Sequence, residues 1–199
     1  MKSLYNYIHT NSKPSSIVPK DSDDLRKIVA EELKRLGNDA DLNHIDVSKL
    51  NAFRRTFWLK DFTGDVSKWN MSNAVTIDSM FVGCYHFNGD LSEWDLSNCN
   101  TIQYMFTMCH RFEGIGLENW NVSKIEYFDH TFCSCKVFNA NITEWKISST
   151  AKDFSSMFEN CENFVQDLSS WKIPNLSTRI DMFKNCPLAR RKKLQPQKV

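Results

Sequence analysis

The sequence predicts an α/β repeat solenoid with parallel strands, short helical or 3-10 turns and a helix capping its N-terminal end. Two recurring motifs and one amphipathic segment predict it. The first motif reads apolar, two others, large apolar, one other, apolar, and it occurs six times: Leu42-Ile45-Val47, Val66-Trp69-Met71, Leu91-Trp94-Leu96, Leu117-Trp120-Val122, Ile142-Trp145-Ile147 and Leu168-Trp171-Ile173. Its starts lie 24, 25, 26, 25 and 26 residues apart, and five of the six Trp occupy its fourth position. Self-similarity at such a period is the mark of a stacked repeat array.

The second motif reads Met-Phe, two residues, Cys, two residues, Phe. It is complete at Met80-Phe81-Cys84-Phe87, Met105-Phe106-Cys109-Phe112 and Met157-Phe158-Cys161-Phe164. Thr131-Phe132-Cys135-Phe138 carries Thr for Met, Met182-Phe183-Cys186 ends the array, and the first copy keeps Phe57 but has Lys60 for Cys.

The elements follow in chain order. Residues 1–20, with Pro14 and Pro19, read as a loosely ordered arm. Residues 21–40 form the cap: Leu25, Ile28, Val29, Leu33 and Leu36 share one helical face, Asp21 or Ser22 caps its start and Gly37 ends it. Residues 41–188 hold the six repeats. In the first motif the fourth and sixth residues alternate, which predicts a short strand. In the second, apolar residues spaced by four and three predict one turn of α- or 3-10 helix. A Ser after the strand starts the turn at Ser48, Ser72, Ser97, Ser123 and Ser148. Residues 189–199 form a tail with five basic residues and no acid; the rest of the chain carries 20 basic and 24 acidic residues.

The block Phe87-Asn-Gly-Asp-Leu-Ser-Glu-Trp-Asp-Leu-Ser, with Met105-Phe106 and Cys109 after it, resembles the BspA-like leucine-rich repeats, the 26-residue repeat of bacterial surface proteins also found in mycoplasmas. The likeness spans roughly Asp41 to Leu188. The segment running into Asp41-Leu-Asn-His-Ile-Asp-Val-Ser resembles short intracellular or phage-borne members. The resemblance implies a leucine-rich-repeat-like solenoid that binds proteins and carries no catalytic residues.

Residue chemistry narrows the function classes. Cys84 with His86, Cys109 with His110, and His130 with Cys133 and Cys135 fall on consecutive repeats, and such ligands suit zinc. Yet Cys161 and Cys186 fill the same repeat position without a His, so a small buried thiol explains the column, and neither a metal nor another cofactor is expected. A Cys–His nucleophile lacks a third orienting group, so an enzyme is not expected. The expected partner surface is the polar face of the strands: His44, Asp46, Lys68, Asn70, Glu93, Asp95, Asn119, Asn121, Glu144, Lys146, Ser170 and Lys172. The off-repeat aromatics Trp58, Tyr85 and Tyr104 are second candidates.

No apolar run is long enough to span a bilayer, and the first 16 residues lack the uninterrupted apolar core of an export signal. The expectation is a non-catalytic protein-binding scaffold in the cytoplasm of a bacterial host cell. A phage-encoded inhibitor of a host enzyme or defence complex fits that description. The alternatives are a surface adhesin, or a fragment of one, and a nucleic-acid-associated protein using the basic tail.

Overall fold

A ladder of backbone hydrogen bonds running from each repeat to the next organises the chain. The computed structural model describes residues 16–199, so most of the expected arm, residues 1–15, lies outside the described residues. Helix α1 (Ser22–Leu36) comes first. The Asp21 carboxylate accepts the N–H groups of Asp23 and Asp24 at 2.9 Å, and Gly37, at φ 99°, donates its own N–H to Leu33. Leu25, Val29 and Leu33 are buried against the first repeat, whereas Leu36 stays exposed. Ile17 pairs in parallel with Ile45, so the end of the arm joins the stack.

From Ala52 onward the chain forms six rungs joined by single-residue parallel bridges: Ala52–Thr76–Thr101–Tyr127–Asp153–Thr178. At each junction four alternate N–H groups donate to the next rung over 2.7–3.3 Å, as Ile77, Ser79, Phe81 and Gly83 do to Thr101, Gln103, Met105 and Thr107. Many of the N–H groups at the other positions bond three residues back within the rung, as Val82 does to Ser79 and Cys84 to Phe81. This alternation needs a left-handed residue twice per rung, four residues apart. Arg55 and Leu59, Tyr104 and Met108, His130 and Ser134, Ser156 and Asn160, and Asp181 and Asn185 all have φ between 53° and 62°. In the second rung the pair is Ser79 and Gly83.

These facts overturn the expected α/β solenoid of leucine-rich-repeat type. The second motif forms no helix, because a left-handed residue interrupts every turn; 3-10 helix occurs only at Leu117–Asn119, Pro187–Arg190 and Lys192–Leu194 among the described residues. The first motif is a turn as well. Each Trp N–H bonds the carbonyl of the apolar residue three before it, as Trp94 does to Leu91 at 3.2 Å. Asp or Asn side chains fix these turns by accepting the N–H two residues on, as Asp90 does from Ser92. Only Lys172–Ile173 (β1) forms a strand there, and its parallel partner is Gln197–Lys198 (β2) in the tail.

The repeat side chains complete the ladder inside. Each Trp indole N–H donates to a carbonyl one repeat earlier: Trp69 to Leu42, Trp94 to Val66, Trp120 to Leu91, Trp145 to Leu117 and Trp171 to Ile142, at 2.8–3.1 Å. The thiols of Cys84, Cys109, Cys135 and Cys161 donate likewise to Phe57, Phe81, Phe106 and Phe132 at 2.9–3.2 Å. Phe57, Phe81, Phe106, Phe132, Phe158 and Phe183 stack in one column with centroids 5.1–5.8 Å apart. Backbones approach closely where the helix runs into the first repeat: a Cβ on Gly64 would sit 2.0 Å from the Ala40 carbonyl oxygen.

Two outcomes follow for stability. Trp94→Phe removes the indole N–H that the Val66 carbonyl accepts beside the backbone N–H of Trp69, and the lost bond and ring area lower unfolding free energy by about 1–3 kcal/mol in denaturant titration, whereas Trp58→Phe at an exposed site changes it by less than about 0.5 kcal/mol. Ser79→Gly relieves a left-handed residue and raises the thermal midpoint, by up to about 1 kcal/mol of stability, whereas Ser79→Val lowers it.

Candidate functional site

The expected partner surface divides into residues that hold the fold and residues that face solvent. Asp46, Asn70, Asp95 and Asn121 accept the N–H groups of Ser48, Ser72, Ser97 and Ser123 at 2.9–3.1 Å, so they are turn-forming side chains. The Ser48 hydroxyl and then the Ser48 N–H hold the Asp46 carboxyl below its usual value. His44 meets Glu32 of α1 at 3.0 Å and fastens the helix to the first repeat. The hydrogen bond from Arg35 lowers the Glu32 carboxyl against the opposing effect of burial. Asn119 ends a 3-10 turn. Lys68 pairs with Glu93 at 2.7 Å, Lys146 with Glu144 at 3.7 Å, and Lys172 bonds Gln197 at 2.7 Å. The charged side chains of this row are solvated and paired, the Ser170 hydroxyl donates to the Thr143 carbonyl at 2.9 Å, and His44, Asp46, Lys68 and Asn70 come together around a cavity of about 300 Å³.

The opposite half of the rungs builds a groove of about 830 Å³. Asp23 and Arg26 of α1 form one wall; Arg54, Arg55, Trp58 and Lys60 of the first rung, Asp78 and Ser79 of the second, and Gln103 and Tyr104 of the third form the rest. Arg55, Ser79, Tyr104 and His130 share the first left-handed position of successive rungs and so stand in one column. Arg26 donates to the Arg54 carbonyl at 3.1 Å. Arg54 pairs with Asp78 at 3.0 Å, and Asp78 also accepts from Thr101 at 2.7 Å. Gln103 donates to Asp129 at 2.6 Å, and burial pushes the Asp129 carboxyl up despite that bond. Tyr104 stacks on His130 at 4.4 Å, and the Arg55 guanidinium lies 5.6 Å over the Trp58 ring.

Trp58 remains 46% exposed, Tyr104 39% and Leu59 55%. Arg55 and Lys60 have no carboxylate within 4.0 Å among the described residues. The groove therefore offers aromatic faces beside unpaired cations. Trp58 and Tyr104 were legible as off-repeat aromatics. Arg54, Arg55, Asp78 and Gln103 were not singled out; their signal is that each pair Arg54-Arg55, Asp78-Ser79 and Gln103-Tyr104 falls at one phase of the repeat. Tyr85, 40% exposed, packs against His110 and lies outside the groove lining.

The Cys and His side chains are separated by this geometry. Cys84, Cys109 and Cys135 are buried on carbonyls, while His86 turns to Asp61 at 2.9 Å. Among the described residues no three of His, Cys, Asp and Glu are placed to share a metal ion. Burial pushes the thiols of Cys84 and Cys99 up to about 12 and those of Cys109, Cys135 and Cys161 well above their usual value. The basic tail, read as a separate segment, is docked: Leu168 N–H bonds the Leu194 carbonyl at 2.8 Å and β2 covers β1. No helix among the described residues is long and apolar enough to cross a membrane.

Residues 24–115 and 105–193 match the family model described as "Mycoplasma protein of unknown function, DUF285". No curated protein and no solved structure matches the chain.

Half-buried Cys133 should be the first thiol modified when native protein is treated with iodoacetamide at about pH 8: burial raises its thiol as it does the others, but the others are also enclosed. Mass spectrometry should find Cys84, Cys109, Cys135 and Cys161 modified only after denaturant is added.

Proposed function

The chain belongs to the DUF285 family, and we propose that it is a non-catalytic protein-binding scaffold that works inside the cell. Its docking surface is the groove between α1 and the first three rungs. One observation carries this reading: the side chains that define the repeat are buried, whereas Trp58 and Tyr104, which the repeat does not require, stay half exposed in one groove beside Arg55 and Lys60. Exposed aromatics and Arg gathered on a rigid surface are the residues that anchor protein interfaces. The repeat's resemblance to BspA-like sequences supports a protein partner. In a phage-borne setting such a surface would occupy a host enzyme or defence complex.

The thiols do not favour catalysis, since the repeat cysteines are spent as carbonyl donors in the core.

Trp58→Ala combined with Tyr104→Ala tests the reading. The double variant should keep its thermal midpoint. A partner recovered with the unaltered chain should bind the variant at least roughly tenfold more weakly by titration calorimetry. Equal binding by the two chains would place the interface elsewhere.

A further inference from the structure

The two ends of the ladder differ. The first rung lies beside α1, whose Arg26 bonds the Arg54 carbonyl at 3.1 Å. The last rung is covered on its Trp side by the tail, through β2 on β1 and the bond from Asn175 N–H to the Val199 carbonyl at 2.9 Å. Its Phe–Cys side is open, and a cavity of about 390 Å³ lies there between the rung and the 3-10 turns of the tail.

This opening has the chemistry of an unfinished junction. The N–H groups of Arg179, Asp181, Phe183 and Asn185 occupy the positions that donate to the next rung everywhere else, and among the described residues they have no acceptor. Phe183 ends the aromatic column: it stacks on Phe158 at 5.6 Å, and no further ring follows it among the described residues. Ile180 beside it is 69% exposed. Arg179 and Lys192 line the cavity without a carboxylate within 4.0 Å, while Lys184 is held by Glu159 and Asp181 at 3.0 and 3.2 Å.

We propose that this open rung docks an acidic segment of a partner protein, at a site separate from the Trp58 groove. Carbonyls of the segment accept from the four unpaired N–H groups, in the manner of an added rung. An aromatic or aliphatic side chain covers Phe183, and Asp or Glu side chains pair with Arg179 and Lys192. Backbone donors at every second residue call for carbonyls at the interval that each inner rung presents to its neighbour, so the segment follows the path of the rung, and the unpaired cations select its charge. A second copy stacked head to tail is disfavoured, because its first rung is already engaged by α1 through Arg26.

The test uses the full chain and a short fluorescein-labelled peptide of Glu residues around a central Phe. Its Gln counterpart and an oligothymidylate of similar length serve as competitors. The expected results are saturable anisotropy with the Glu peptide, roughly tenfold weaker binding of the Gln peptide, and a similar loss in Arg179→Glu combined with Lys192→Glu. Amide hydrogen exchange at residues 179–185 should slow when the Glu peptide is added, in a chain whose thermal midpoint is unchanged by the two substitutions. Failure of the Glu peptide to bind, binding without protection of 179–185, equal affinity in the double variant, or tighter binding of the oligothymidylate would each overturn the proposal. So would protection of the same amides by concentration-dependent dimerisation in the absence of peptide.

Discussion

Every part of this protein leans on the backbone bonds between rungs. Alternate N–H groups of one rung reach the carbonyls of the next over 2.7–3.3 Å, and many of the intervening groups bond within the rung. A peptide chain can present alternate donors outward along a tight path only if it changes hand repeatedly. Left-handed residues therefore recur, including Arg55, Tyr104 and His130, for which that conformation is costly. The ladder compensates by satisfying polar groups that a turn-rich chain would otherwise leave unpaired.

The core side chains solve the same problem from inside. Turns leave carbonyls pointing into the apolar interior, where each unpaired one is expensive. Here each carbonyl accepts the backbone N–H three residues on, and a Trp indole or Cys thiol of the next repeat fills its second acceptor site. Trp contributes apolar area and one N–H; Cys contributes a small side chain and a weak donor. That dual demand explains why these two rare residues mark the repeat, and why burial and carbonyl contact leave the repeat thiols protonated rather than reactive.

Interaction chemistry is left to positions that the stack does not constrain. The polar residues of the first motif looked like a binding face, but the hydrogen-bonding demands of its turns claim Asp46, Asn70, Asp95 and Asn121, and α1 claims His44. The other half of each rung has outward positions whose side chains the ladder does not need. There Arg54, Arg55, Trp58 and Tyr104 form the groove beside α1, and at the far end the last rung keeps its donors unpaired. The ends of a stack are chemically unlike its middle, because each inner rung is satisfied from both sides.

The sequence by itself determined the repeat, its period, the residues of the core and the N-terminal helix with its Gly37 end, since periodic burial and capping are written in residue type and spacing, whereas the choice of Asp21 over Ser22 as its cap came with the structure. It also marked Trp58 and Tyr104 as surplus to the repeat. Only the tertiary structure decided what the repeat is made of. An apolar-x-x-Trp-x-apolar pattern satisfies a strand and a turn equally well, and the choice was made by bonds to residues about 25 positions away: Trp94 to Val66 and Phe81 to Met105. The groove was likewise illegible, because it joins α1 to three rungs through contacts such as Arg26 with Arg54 and Arg54 with Asp78. Local spacing records which residues must be buried; the partner that satisfies each polar group is settled only when the rungs stack.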